Sequence, residues 1–253
     1  MILKPVYTLY QYILEKQVKV EKIPEHIAII MDGNRRLAKT IGKPPWFGHR
    51  LGAQRLEDVI EWCIWLGIKS ITAYAFSIEN FSRSEKEINY LFDLFEEYFY
   101  KVAEDERIRK DEVKVKAIGR LEKFPDRVLK AIRYAEEKTK NNRNLLLNIA
   151  MAYGGRQELV DAIKKIAVKV KAGEVEIENI DEKLVSGHLY TSGVKDPDLI
   201  IRTSGEERIS DFLLWQSAYS ELYFCETFWP SFRKIDFLRA IRTYQQRERR
   251  YGR

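Results

Sequence analysis

Short apolar runs alternate with longer amphipathic stretches along nearly the whole chain. The runs at 26–31, 70–76, 145–150, 198–202 and 221–225 are too short for typical helices, which predicts buried strands. Residues 113–118 (Val-Lys-Val-Lys-Ala-Ile) alternate with period two and predict a strand half exposed or at a sheet edge. Between the runs lie helical patterns. Residues 5–16 open with Pro5 and place Val6, Leu9, Tyr10, Ile13 and Leu14 on one face. A short helix over 36–39 is stopped by Gly42 and Pro44-Pro45, and 46–49 form a loop. A helix then runs to Leu66, closed by Gly67. Residues 85–107 carry a bulky stripe of Ile88, Leu91, Phe92, Phe95, Tyr98, Phe99 and Val102. Further helices are predicted at 126–140, 157–172, 182–190 and 235–250, with a helical turn within 212–220. Strand and helix alternating in this way predict a single α/β domain, its central, mostly parallel sheet flanked by helices. No repeat, low-complexity tract or linker divides it.

At 253 residues, with 45% hydrophobic and 32% charged content, the chain has ample size for a core and the balance of a globular protein. The net charge of +6 fits an anionic partner such as a diphosphate, a nucleic acid or an anionic lipid surface, without choosing among them. Cys63 and Cys225 lie far apart in apolar contexts and read as free thiols, consistent with a cytoplasmic protein. The three histidines, His26, His49 and His188, have no metal-ligand spacing, which argues against zinc. No signal-peptide layout and no run of about 20 apolar residues appears. The aromatic 5–16 helix packs on the protein's own body in the plainer reading and touches a membrane in the sharper one.

Polar residues collect where predicted strands end. The first run ends in Asp32-Gly33-Asn34-Arg35-Arg36, where open α/β sheets place their ligands. Asp32 suits Mg²⁺, which takes a carboxylate or two plus substrate phosphates. Gly33 lets backbone approach a bound group, and the next helix start suits a phosphate. Ser77, Glu79, Asn80, Phe81 and Arg83 follow the second run, and Arg202, Arg208 and Ser210 close another, with Glu221 near the last. Guanidinium forks match phosphate oxygens. There is no Walker A loop, no Rossmann glycine fingerprint and no Gly-x-Ser-x-Gly elbow. The chemistry reads as a magnesium-diphosphate site in apolar surroundings.

The sequence resembles the cis-prenyltransferases, the family of undecaprenyl and dehydrodolichyl diphosphate synthases. The resemblance rests on His26-Ile-Ala-Ile-Ile-Met-Asp-Gly-Asn-Arg35, Gly48-His49, Tyr74-Ala-Phe-Ser-Ile-Glu-Asn80 with Arg83, Asn148-Ile-Ala-Met-Ala-Tyr-Gly-Gly-Arg156 and Asp198-Leu-Ile-Ile-Arg-Thr-Ser-Gly-Glu206 through Arg208-Ile-Ser210. Phe212-Leu-Leu-Trp-Gln216, Ala218-Tyr-Ser-Glu-Leu222 and Trp229-Pro230 extend it over roughly 25–252.

The resemblance implies an apolar tunnel and a catalytic domain over 25–253, preceded by an amphipathic extension over 1–24. Asp32 would hold Mg²⁺ on the allylic diphosphate. The backbone of Gly33, Asn34, Arg35 and Arg36, with His49, would cradle that diphosphate, with Leu37 close by. Arg202, Arg208, Ile209 and Ser210 would hold isopentenyl diphosphate. Ser77, Ile78, Glu79, Phe81 and Arg83 would line the space between the substrates. Glu221 would join the magnesium shell across a homodimer interface, and Arg250-Tyr251-Gly252 would complete the neighbouring site. Asn80 is the residue assigned to the proton step. A neutral amide is a poor base, so it positions, and a diphosphate oxygen or relayed water accepts the proton. The implied product is a long-chain Z-polyprenyl diphosphate, precursor of a glycosyl carrier lipid, with peripheral membrane contact for its release.

Two departures from the family pattern stand out. Pro44-Pro45-Trp46-Phe47 occupies the place of an arginine before Gly48-His49, leaving Arg35, Lys43 or Arg50 to supply that contact. Leu37 replaces an aromatic residue and Phe81 a tryptophan, changes that bear on the allylic primer. The competing readings are a short-chain synthase, which the sequence leaves open, and a non-catalytic partner subunit, which the presence of Asp32, Arg202, Arg208 and Glu221 opposes. A nucleic-acid-binding module lacks support, since no such motif appears and the aromatics sit in apolar-periodic segments.

Overall fold

The computed structural model describes residues 3–20 and 22–247. Its six strands are β1 (His26–Ile30), β2 (Ser70–Ser77), β3 (Val113–Ile118), β4 (Leu145–Tyr153), β5 (Leu199–Arg202) and β6 (Glu221–Phe224). They form one sheet in the order β3-β4-β2-β1-β5-β6, and every pairing is parallel. The helices are α1 (Leu3–Val20), α2 (Asn34–Thr40), α3 (Pro45–Leu66), α4 (Glu85–Glu104), α5 (Glu106–Lys110), α6 (Asp126–Thr139), α7 (Gly155–Lys171), α8 (Glu182–Ser186) and α9 (Lys234–Gln246). The predicted α/β class and flanked parallel sheet are thus observed, with β3 at the sheet edge as its alternation required.

Strand pleating divides the core. Ile27 and Ile29 face one side, where α3, α4, α6 and α9 bury Val59, Leu91, Val128 and Phe237 in a large apolar cluster. Ala28 and Ile30 face the other side, packed with Ile200, Tyr153, Phe212 and Leu213. α1 docks on α9, burying Leu14 and Val18 completely. Its buried stripe therefore runs through Tyr10, Leu14 and Val18. Leu9 and Ile13, expected on that face, are 61% and 43% exposed.

Several boundaries differ from the sequence reading. The stretch 46–49 is the first turn of α3, because Pro45 takes the N1 position, where its missing N–H costs nothing. The expected 85–107 helix breaks at Asp105, whose side chain accepts from the Arg107 N–H at 2.8 Å and restarts the chain as α5. β4 runs on to Tyr153, with register shifts against β2 at Tyr74, Phe76 and Ser77. α8 ends at Ser186, followed by Gly187, short of the expected 190. Residues 212–220 are not helical. Asp211 and Leu213 have φ of 61° and 48°, and the fully buried Phe212 and Leu213 plug the second core. The end of the predicted last helix, with Arg250 and Gly252, lies outside the described residues.

Candidate active site

β1, β2 and β5 lie side by side and deliver Asp32, Ser77 and Arg202 to the same carboxyl edge of the sheet. The turn after β1 needs Gly33, whose φ is 103° and whose missing side chain leaves room for Phe228. α2 starts at once with Asn34. α3 crosses it so closely that a Cβ on Gly48 would stand 2.0 Å from the Asn34 carbonyl oxygen. That contact brings His49 to the site.

Asp32 is the centre. Arg202 donates to its Oδ2 at 2.9 Å, and Arg36 approaches Oδ1 at 3.1 Å. Burial alone would raise its pKa. The bonds and charges of the two arginines prevail and hold the carboxyl below the usual range. Arg202, itself buried, donates to Ser210 Oγ at 2.7 Å and to the Arg208 carbonyl. Arg208 pairs with Glu206 at 2.6 Å, and Glu206 also accepts from Arg36 at 3.0 Å. Arg36 further donates to Ser204. Thr203 donates to the Asp32 carbonyl at 2.7 Å and fixes the β1 and β5 ends together.

A second set surrounds Glu87, which is 5% exposed on the first turn of α4. His49 Nε2–H donates to Glu87 Oε1 at 3.0 Å, Arg83 donates to the same oxygen at 3.1 Å, and Arg35 lies at 3.6 Å. The His49 bond, with the charges of Arg83 and Arg35, holds Glu87 ionised below its usual range. Burial pushes His49 below its usual 6.5, the Glu87 bond opposing, so the ring is neutral near pH 7. The sequence reading missed Glu87. Ser84-Glu85-Lys86-Glu87 looks like a helix-capping box, and Ser84 does accept from the Glu87 N–H. The i,i+4 spacing from Arg83 was the available signal.

The two sets border a polar pocket of about 620 Å³, lined by Asp32, Arg35, Arg36, His49 and Arg83 together with Lys39 and Lys43. Arg50, one candidate for the missing arginine contact, faces away and pairs with Glu97 at 2.6 Å. Lys43 and Arg35 are the candidates that do line the pocket. Below it lies an apolar cavity of about 110 Å³ between the sheet, α3 and α4. Met31, Asn34 and His49 line both, so the polar pocket and the apolar cavity share a wall.

Other expected residues fall outside these walls. Ser77 and Asn80 form a capping box at the turn 78–82, where the Ser77 N–H donates to Asn80 Oδ1 at 3.2 Å. Phe81 packs on Phe76 at 4.9 Å between ring centroids, within an aromatic cluster with Phe92 and Phe124. Glu79 is exposed, Ile78 and Leu37 are half-buried, and Ile209 packs on the second core. Leu37, Ile78 and Phe81 line neither cavity. Glu221 does not converge with Asp32 within one chain. It opens β6 opposite Leu199, at the far end of the strands from Arg202, and pairs with Arg247 at 2.5 Å. Among the described residues no three His, Cys, Asp or Glu side chains cluster to hold a metal. A single carboxylate beside an arginine-rich pocket does fit Mg²⁺, which draws its other ligands from waters and substrate phosphates.

This fold and site define an α/β protein with a cationic pocket suited to a diphosphate beside an apolar cavity. The family model described as "Putative undecaprenyl diphosphate synthase" matches residues 30–252. The chain belongs to that family, the cis-prenyltransferases. It is 56% identical over 249 residues to a tritrans,polycis-undecaprenyl-diphosphate synthase (geranylgeranyl-diphosphate specific) of Methanocaldococcus jannaschii, covering 98% of this chain and 89% of that one. An enzyme of the same description from Methanopyrus kandleri is 56% identical, covering 99% and 93%. Among solved structures, lavandulyl diphosphate synthase from Lavandula x intermedia, in complex with dimethylallyl diphosphate, superposes with a TM-score of 0.88 at 37% identity, covering 91% and 99%. A probable undecaprenyl diphosphate synthase from Campylobacter jejuni superposes with a TM-score of 0.74 at 32% identity, covering 92% and 100%.

Proposed function

We propose that this cis-prenyltransferase condenses isopentenyl diphosphate onto geranylgeranyl diphosphate, in a Mg²⁺-dependent reaction, to make a long-chain Z-polyprenyl diphosphate that serves as precursor of a glycosyl carrier lipid. The observation that carries this reading is the arginine-rich Asp32 pocket lying against an apolar cavity, with Met31, Asn34 and His49 lining both. The primer is taken from the two archaeal relatives, whose descriptions specify it.

The allylic diphosphate sits in the polar pocket, its charge met by Arg35, Arg36, Lys39 and Lys43, with the first N–H groups of α2 turned toward it. Lys43, with Arg35, supplies the contact that the family's missing arginine would make. Bound Mg²⁺ would be held by Asp32 and would neutralise charge developing on the departing diphosphate. Arg36 and Arg202, which hold Asp32 in this structure, turn to phosphate oxygens when substrate arrives. Arg202, Arg208 and Ser210 orient isopentenyl diphosphate so that its double bond faces the allylic carbon. Bond formation at that carbon expels diphosphate, and loss of a proton to a diphosphate oxygen or water restores the double bond. Asn80 positions through the turn it caps, where its Oδ1 accepts from the Ser77 N–H. The growing tail enters the cavity, where each added isoprene unit gains about 3–4 kcal/mol from burial. Glu221 and the 250–252 tail serve the site of a second copy in a homodimer, since Glu221 stands away from Asp32 in its own chain. No helix among the described residues is long and apolar enough to cross a membrane; the reading includes a peripheral membrane contact for product release.

The test is an incubation with labelled isopentenyl diphosphate, geranylgeranyl diphosphate and Mg²⁺, with products sized by chromatography. A ladder of long products, abolished by EDTA and restored by Mg²⁺, supports the reading. A single short product replaces it with a short-chain synthase, and no product with any primer points to a partner-dependent subunit.

A further inference from the structure

The stretch Tyr153-Gly154-Gly155-Arg156 lines neither the polar pocket nor the apolar cavity. It ends β4 and starts α7, and its neighbour in space is Asp211. The Gly155 N–H donates to the Asp211 carbonyl at 2.6 Å, and the Arg156 N–H donates to Asp211 Oδ1 at 3.0 Å. These are the first amides of α7, which have no partner within their own helix. A carboxylate meets one of them and sits at the positive end of the helix dipole. The approach is close enough to require both glycines. A Cβ on Gly154 would stand 2.7 Å from Asp211 Oδ2, and one on Gly155 would stand 2.9 Å from the Asp211 carbonyl oxygen.

The turn that contains Asp211 also carries Ser210. Ser210 and Asp211 have φ of 47° and 61°, a left-handed backbone that residues with a side chain rarely adopt. Ser210 is exposed, so its own burial does not hold it there. In this conformation Ser210 Oγ and the Arg208 carbonyl both accept from the Arg202 guanidinium, the hydroxyl at 2.7 Å.

Beyond Asp211 the chain has separate anchors. Phe212 and Leu213 are fully buried in the second core, and Gln216 donates to the buried Glu158 at 3.0 Å. Glu158 also accepts from the Tyr190 N–H at 2.8 Å and from the Tyr153 hydroxyl. Those contacts fix residues 212–216. On the side facing Arg202, Asp211 ties the turn to α7.

Building on the prenyl-transfer reading, in which Arg202, Arg208 and Ser210 hold isopentenyl diphosphate, we propose that Asp211 is a positioning residue for that substrate. Seated on the first amides of α7, it holds the left-handed turn that presents Ser210 and Arg208. Gly154 and Gly155 form the seat. The pocket for the allylic diphosphate is built by α2, the start of α3 and Arg83, so it should not feel the loss of this contact.

Steady-state kinetics with each substrate varied in turn, alongside thermal melts, test the assignment. Glycine takes a φ of 61° without strain, so Asp211→Gly removes the carboxylate and leaves the turn able to form. Its KM for isopentenyl diphosphate should rise about tenfold or more, the scale of one lost charge-assisted hydrogen bond, while the KM for geranylgeranyl diphosphate stays within about twofold. Asp211→Asn keeps the Oδ1 acceptor and tolerates the left-handed backbone, and should return the isopentenyl KM to within about threefold of the unaltered protein. Gly155→Ala pushes on the same contact from the helix side and should raise the same KM selectively. An unchanged isopentenyl KM in either the Asp211→Gly or the Gly155→Ala variant overturns the assignment. So does a rise in both KM values with a lowered melting temperature, because Asp211 then serves only the fold. An asparagine variant as impaired as the glycine one overturns it too, because the hydrogen bond is then not what places the turn. Absence of any condensation by the unaltered protein overturns the prenyl-transfer reading instead, and this assignment with it.

Discussion

Asp32 keeps its charge against burial because Arg202 and Arg36 stand at its two oxygens. Asp32→Ala should leave the melting temperature within a few degrees of the unaltered protein while lowering turnover at least about 10³-fold, the scale on which removing one centre of transition-state stabilisation acts. Circular dichroism melts alongside the prenyl-transfer assay separate the two effects. Glu87 differs, because it touches side chains that line the polar pocket without lining it itself. Glu87→Ala frees His49, Arg83 and Arg35 together, and should raise the KM for the allylic diphosphate about tenfold or more. Elsewhere, His26 is buried between the Lys195 carbonyl and Thr72, and burial pushes its pKa down to about 4. The fold prefers the neutral ring, so this contribution is complete above pH 6.5 and is lost as pH falls through about 4. His26 alone should cost on the order of 3 kcal/mol over that window. Urea unfolding at pH 7 and pH 4.5 should show a drop that His26→Gln reduces, and an equal drop in the variant removes His26 as the cause. Asp32 and Glu87, both held low, weaken the fold in the same direction at still lower pH.

At the scale of elements, the site depends on how α2 and α3 meet. Gly48 and Gly52 let α3 lie against Asn34, where any side chain would collide with its carbonyl or its amide oxygen. Gly48→Ala should therefore cost about 1–3 kcal/mol in urea unfolding, the range for overpacking. It should also weaken diphosphate binding, because His49 and the α2 start move apart. An unchanged Kd in that variant would mean that the α2–α3 contact does not set the pocket. The strands and their order of appearance were legible in the sequence because buried parallel strands read as short apolar runs. The start of α3 was not, since Pro44-Pro45 reads as a stop until the second proline is seen at a helix N1 position. The 212–220 segment misled for the opposite reason. Its aromatic spacing resembles a helix, but the left-handed backbone at Asp211 and Leu213 is imposed by the second core.

At the scale of the whole molecule, β6 is an edge strand whose residues are half-exposed, and Glu221 on it points away from its own Asp32. Edges of this kind invite a partner. The protein should sediment as a dimer. Mixing Asp32→Ala chains with Glu221→Gln chains should recover a quarter to a half of the activity that either variant lacks alone. Failure to recover any activity in a mixture shown to contain heterodimers would confine Glu221 to its own chain.

The sequence by itself determined the fold class, the family and the gathering of Asp32, Arg202, Arg208 and Ser210 where strands end. Strand-end motifs are local, and local order carries their meaning. Only the tertiary structure decided which charges meet. Glu87 joins His49 across 38 residues, and Asp32 meets Arg202 across 170. Lys43 lines the pocket where Arg50 turns outward. A pairing between distant segments depends on register and packing, which no spacing along the chain records.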